Sequence, residues 1–459
     1  MKLIVQMMTA VACLCAVATS QTTAQSDARK FELTPVAPPA PALKYQLLFD
    51  DQSARRPGNA AILYLDSILL MGPDAKQKAE QALNAFDAND MKTFDSLAAA
   101  LDTAPLFEEL DLAARREQCD WQPPFREMGV RTLLPHLEPL VNGVARIIKV
   151  KTLRQIRDGD VDGALATLRL GYELSDKAGH EPILISGLVS LRMTRMMNDC
   201  LIQLIQRPDA RNLYWALTEF PPRQVVLRNS FDGERLASAT ASIPDLARFE
   251  AGEQLSAGQW RDVFRDLDET NVTEEGQRKH IDPLAQTSAD VLRQARQAYA
   301  QAHHATPDQA DKIDPAIVLG EHYFREYQIA YDDMSKLRSL PYPLLLAKSK
   351  EYGDSAEKWV AAQPANPFLY RLPTIYRAVL NFARVDRQLA ALTAAEAIRS
   401  YAAAHSGKLP QRLQDVSETP VPANPATGAP FDYSVRAEAA TLSDSHLEMP
   451  LTYTITIRK

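Results

Sequence analysis

The sequence predicts a mainly α-helical protein: a multi-helix bundle of helical hairpins finished by a small C-terminal α/β module of one helix and antiparallel strands. Two patterns and one composition carry that expectation. Apolar residues return every three or four positions through most of the chain, and Pro, Gly or Asp pairs interrupt them. Near the end the period drops to two, in Phe431, Tyr433, Val435 and again in Tyr453, Ile455, Ile457. Hydrophobic residues make up 46% and charged residues 24% of 459 positions, a balance that fits a folded globular chain rather than a disordered tail or a membrane bundle.

Residues 1–20 read as a signal peptide. One Lys precedes an apolar run from Leu3 to Ala18, and small residues at Ala16, Ala18 and Ser20 suit cleavage. The run is shorter than the roughly 20 apolar residues a membrane span needs, so no integral span is expected once it is removed. Val11-Ala12-Cys13 partly resembles a lipobox, with Ala10 where that motif favours Leu, which leaves a lipid anchor at Cys13 as an alternative mode of attachment. Residues 21–42 follow as a Pro-rich linker, in which Pro35, Pro38, Pro39 and Pro41 favour extended polyproline II backbone.

A first helical domain is expected over 43–222. Asn59 to Met71 sets Ile62, Leu65, Ile68 and Leu69 on one side, and Gly72-Pro73 stops that helix. Further helices are expected at 75–87, 91–101, 105–118, 131–157, 160–178, 182–206 and 211–219. In residues 156–177, Gly159-Asp160 supplies a turn, Asp162 opens the next helix, Ala164 allows close approach, and Leu165, Leu168 and Tyr172 return at helical spacing. This segment resembles a tetratricopeptide hairpin, with Gly171 where the family usually has Ala. The resemblance implies a TPR-like hairpin that presents a binding face.

Residues 223–312 are polar and read as a partly helical, less packed insertion, with amphipathic stretches at 259–268 and 286–304 and almost no apolar anchor from Glu269 to Lys279. The helical domain then continues over 313–383. Helices are expected at 314–340, where Ile317, Phe324, Tyr327, Tyr331 and Met334 share a side as core or as a groove lining, and at 343–362 and 373–405.

Residues 384–459 form the closing module. A long helix carries Tyr401, then come Gly407, Leu409 and Pro410, then Pro422, Asn424, Pro425, Thr427, Gly428, Pro430, Phe431 and Tyr433. Gly407 suits a helix end, Pro410 prevents resumption, and Thr427-Gly428 permits a tight turn into a strand. The segment resembles the soluble part of a type II secretion major pseudopilin, with Asn424 where the family has aspartate and no acidic calcium-site cluster after it. That resemblance implies a helix-plus-sheet fold and, as an alternative function, a component of a secretion or pilus-like assembly.

The formal net charge of −7 with no basic block excludes nucleic acid as a natural partner. Gly-x-Ser-x-Gly, His-Glu-x-x-His, phosphate loops and dinucleotide fingerprints do not occur. Ser355-x-x-Lys358 lacks the companion Lys-Thr-Gly, and His303, His304, Glu321 and His322 are the one grouping with metal-ligand chemistry. The carboxylates Glu108, Glu109, Asp111 and Asp332, Asp333 suit solvated helix faces. Cys119 and Cys200 suit either a disulfide or two buried thiols. No catalytic, cofactor-binding or metal-binding residue is assigned. The expectation is an exported, periplasmic or extracellular scaffold that binds protein partners in the cell envelope, with a hydrolase of envelope material as the catalytic alternative.

Overall fold

The computed structural model describes residues 26–49, 54–123, 134–237, 243–270, 280–372 and 375–458. The expected signal peptide, Cys13, and residues 271–279 of the polar stretch lie outside the described residues. The chain is mainly α with a small C-terminal antiparallel sheet. In order it forms β1 (Asp27–Leu33), β2 (Arg56–Asn59), α1 (Ala60–Met71), α2 (Ala75–Asp87), α3 (Met91–Leu101), α4 (Ala104–Ala114), β3 (Arg116–Gln118) and α5 (Ala145–Asp158). There follow α6 (Val161–Ala178), α7 (Leu184–Ile205), α8 (Tyr214–Thr218), α9 (Gln224–Ala237), α10 (Pro244–Glu250), α11 (Ala257–Thr270), α12 (Ala289–Ala302), α13 (Pro315–Lys336), α14 (Tyr342–Ala362) and α15 (Ile375–Ala404). Strands β4 (Asp432–Arg436), β5 (Ala439–Asp444) and β6 (Leu451–Ile457) end the chain. Among the described residues no helix is long and apolar enough to cross a membrane.

Two compact units emerge. A discontinuous unit is built from Ala24–Gln122, Leu134–Ser230 and Leu380–Lys459, and a central unit from Phe231–Val379. The division differs from the expected one. The polar stretch does not stand as a loose insertion beside a continuing helical domain, because its apolar residues supply the central unit's core. Trp260 of α11 is fully buried, packs on Phe249 at 5.2 Å and lies over Gly320 of α13, where any side chain would collide with its ring. Phe324 of α13 joins them, 5.9 Å from Phe249 and 5.3 Å from Phe368. The aromatic side of α13 is therefore core: Phe324, Tyr327, Tyr331 and Met334 are buried.

In the discontinuous unit α6 packs on both α5 and α7. Gly159 ends α5 in the left-handed region (φ 81°), and the Asp160 side chain caps α6 by accepting from the Gly163 N–H at 2.9 Å. Ala164 and Tyr172 are fully buried, and a methyl on Gly171 would run into Met197 and crowd Ile148. Glycine stands there because α7 approaches too closely for alanine. The helix expected over 105–118 stops at Ala114, and residues 116–118 pair in parallel with β2.

The closing sheet has the order β1-β6-β5-β4. β4, β5 and β6 are antiparallel neighbours, and Ala440, Leu442, Leu451, Tyr453 and Ile455 are buried. Its fourth strand comes from the stretch expected to be a linker. Asp27–Leu33 pairs with Leu451–Ile457 in parallel, residue for residue, and buries Phe31 and Leu33. Backbone donors and acceptors left open on the edge of β6 are satisfied by this strand, which is why a charged, weakly apolar segment becomes regular structure.

α15 is the spine of this unit. Glu396 accepts from the Leu213 N–H at 2.8 Å, and Arg399 donates to the carbonyls of Thr34, Arg211 and Ala210 at 2.6, 3.0 and 2.7 Å. Arg387 donates to Asp444 and to the Met449 carbonyl, both at 2.7 Å. Ala397 and Val416 pack with Tyr214, whose hydroxyl donates to the Pro420 carbonyl at 2.7 Å.

Candidate functional site

The expected helix over Asn59 to Met71 is present as α1, and its apolar side faces outward. Its start is fixed by Asn59, whose side-chain oxygen accepts from the Ala61 N–H at 3.0 Å, and it stops at Gly72 (φ 78°). The buried side of α1 carries Ala60, Ala61, Tyr64 and Ser67, small residues that let α4 pack closely, with one aromatic anchor. The apolar side points outward: Ile62 is 61%, Leu65 45%, Leu69 79% and Leu70 44% exposed. Leu112 of α4 is exposed as well. Beyond the end of α1 lies a depression of about 110 Å³ lined by Met71, Ala75, Lys78, Leu101, Leu106 and Ile147. Single exposed apolar residues are ordinary, whereas one isoleucine and three leucines on one helix form an apolar patch of the kind that marks contact surfaces.

Beneath α1 lies a buried polar cluster. The Glu173 carboxylate on α6 accepts from the Phe49 N–H at 2.7 Å, from Arg55 at 2.7 and 3.0 Å, and from Lys177 at 2.6 Å. Lys177 also donates to the Ala114 carbonyl at 2.8 Å. Burial pushes the Lys177 ammonium below its ordinary range, and the Glu173 charge opposes that shift. The arrangement is a staple: a carboxylate with four donors ties Phe49, Arg55 and, through Lys177, the end of α4 to α6.

One turn further on, Asp176 takes the Arg223 guanidinium at 3.3 Å and the His180 imidazole at 3.3 Å. Burial pushes the Asp176 carboxyl up, but the His180 hydrogen bond and the Arg223 charge outweigh it and hold it down at about 2. Tyr64, Trp121 and His136 stack, with ring centres 6.3 and 4.1 Å apart. His136 Nε2 is 3.3 Å from Glu181, whose other oxygen accepts from Ser186 at 2.6 Å. Glu181 thus sits between Ser186 and His136, the wrong order for an imidazole to take a proton from the serine.

The residues singled out in the sequence do not converge. Ser355 Oγ donates to the Glu351 carbonyl at 2.9 Å along α14, which ties it to its own helix rather than to a base. His303 pairs with Glu321 at 2.7 Å and stacks on Tyr299, His304 lies in a left-handed turn, and His322 is half-buried, its imidazole pushed down by desolvation. Among the described residues no group of three His, Cys, Asp or Glu is placed to hold a metal ion. Asp111 pairs with Arg115 at 2.6 Å and Asp333 with Lys336 at 2.6 Å, as solvated helix faces do. Cys119 and Cys200 are separate thiols.

The buried staple went unread in the sequence because nothing in local spacing joins Phe49, Arg55 and Ala114 to Glu173. The outward side of α1 was legible as a stripe, but not its direction. No family model, no curated protein and no solved structure matches this chain.

Proposed function

We propose that the protein is an exported, non-catalytic scaffold of the cell envelope that binds protein partners through the outward face of α1. The carrying observation is the apolar patch of Ile62, Leu65, Leu69 and Leu70, held on a helix whose other side is anchored by Tyr64 and backed by the Glu173 staple. A rigid helix presenting branched apolar side chains loses little entropy on binding, and the neighbouring depression can receive one further side chain.

An assembly role using residues 384–459 as a separable docking element is less well supported. That segment is tied by Glu396, Arg399 and Arg387 into the interior of the discontinuous unit.

The reading is tested by placing a photo-cross-linking amino acid at Leu69, and at the exposed Leu344 as a control, and irradiating the native envelope. Discrete adducts from Leu69 that vanish with Leu65→Asp support the proposal. Adducts equal to those from Leu344, or none, would overturn it.

A further inference from the structure

We propose that strand β1 is exchangeable between copies of this chain, so that residues 27–36 of one copy fill the sheet edge of another. Among the described residues β1 lies at the edge of its sheet, with β6 as its one strand neighbour. Of its side chains only Phe31 and Leu33 are buried, while Ala28, Arg29, Lys30 and Glu32 are exposed. Just beyond it, the carbonyls of Thr34 and Val36 are held by Arg399 and Asn212. The chain is next fixed at Gln46, whose carbonyl accepts from Arg169, at the buried Leu47, and at Phe49, whose N–H donates to Glu173.

Between these anchors, residues 37–45 run along the surface, with Ala37 and Ala40 to Lys44 exposed, Pro38 and Pro39 favouring extended backbone, and a turn in which the Lys44 N–H donates to the Pro41 carbonyl at 3.1 Å. Nine such residues span up to about 30 Å, enough to deliver the strand to a neighbouring molecule. Residues 27–36 are therefore a small cassette on a surface hinge. The same segment from a second copy makes the same register with β6, the same two apolar insertions and the same carbonyl contacts, so the sheet edge needs no new complementarity to accept it. The exposed charges of Lys30 and Glu32 on this edge strand discourage a further strand from adding beside β1, which favours exchange over open-ended stacking.

The register supplies the test, because Glu32 stands opposite Thr456. Glu32→Cys and Thr456→Cys placed in one chain should join within that chain under a short bis-maleimide. One copy bearing only Glu32→Cys, mixed with another bearing only Thr456→Cys, should give a covalent dimer. Its yield should exceed that of the unsubstituted chain several-fold and fall to that background when Phe31→Asp is added to the Glu32→Cys copy. A joined double variant with no dimer from the mixture at high protein concentration overturns the exchange. So does a dimer that persists with Phe31→Asp, which would report random collision. A double variant that fails to join removes the register and the proposal with it.

Discussion

Arg399 donates from Nε to the carbonyl oxygen of Thr34 at 2.6 Å, joining positions 365 residues apart, and its side chain is fully buried. The same guanidinium reaches the Ala210 and Arg211 carbonyls and lies 3.3 Å from Glu396. One side chain thus gathers the residue after β1, the turn before α8 and the last long helix.

Replacing Arg399 with Met should therefore cost on the order of 3–5 kcal/mol, because three carbonyls lose their donor and the Glu396 carboxylate stays buried without its cation. Burial already pushes the Glu396 carboxyl upward. Urea unfolding of the variant should show the midpoint falling sharply, and a loss below about 1 kcal/mol would show that the cluster is not under strain from desolvation.

Gly171→Ala should destabilise the discontinuous unit by roughly 1–3 kcal/mol, since a methyl there meets Met197. Met197→Ala in the same chain should recover part of the loss. A neutral single substitution, read by thermal unfolding, would mean that α6 and α7 can separate without cost.

Both thiols should react slowly in the folded protein, the buried Cys200 least. Burial pushes Cys119 and Cys200 up to about 12, so the thiolate is scarce near neutral pH. A thiol-specific chromophore at pH 8 should leave the fully buried Cys200 unlabelled until urea is added and reach the half-buried Cys119 only slowly, and prompt labelling of Cys200 would contradict its burial.

Acid should weaken the Asp176 contacts. Its folded pKa, at about 2, lies below the ordinary aspartate value near 4, so its stabilisation is complete above about pH 4 and is lost as pH falls toward 2. The contribution is on the order of 2 kcal/mol. The difference in stability between the wild type and Asp176→Asn, measured by urea unfolding from pH 6 down to pH 3, should shrink, and a constant difference would remove the ion pair as its cause.

Local pattern decided how much could be read in advance. The helices at 75–87 and 91–101 coincide with α2 and α3, because Asp74, Asp90 and Asp102 bracket segments whose apolar spacing is unambiguous. β5 went unread since the loop before it, Ala437-Glu438, lacks the Asn-Gly or Asp-Gly pair that normally marks a two-residue hairpin, although Ala437 adopts φ 53°. β1 went unread because its partner lies at the far end of the chain. Tyr64 and Ser67 face inward on α1 while leucines face outward, an inversion that depends on close packing against α4 and leaves no trace in periodicity. The same limit hid Glu173, whose donors Arg55 and Phe49 lie 118 and 124 positions away.

That β1 and residues 381–459 close one unit is tested by hydrogen exchange on the full chain and on one ending at Leu380. Loss of Asn381–Lys459 removes Glu396, Arg399 and the partner of β1, so protection should collapse in β1 and across α6 to α8 together, while α11 and α13 of the central unit keep theirs. If α6 and α7 stayed protected at wild-type levels in the shortened chain, the C-terminal segment would be a detachable module and not the closing part of this unit.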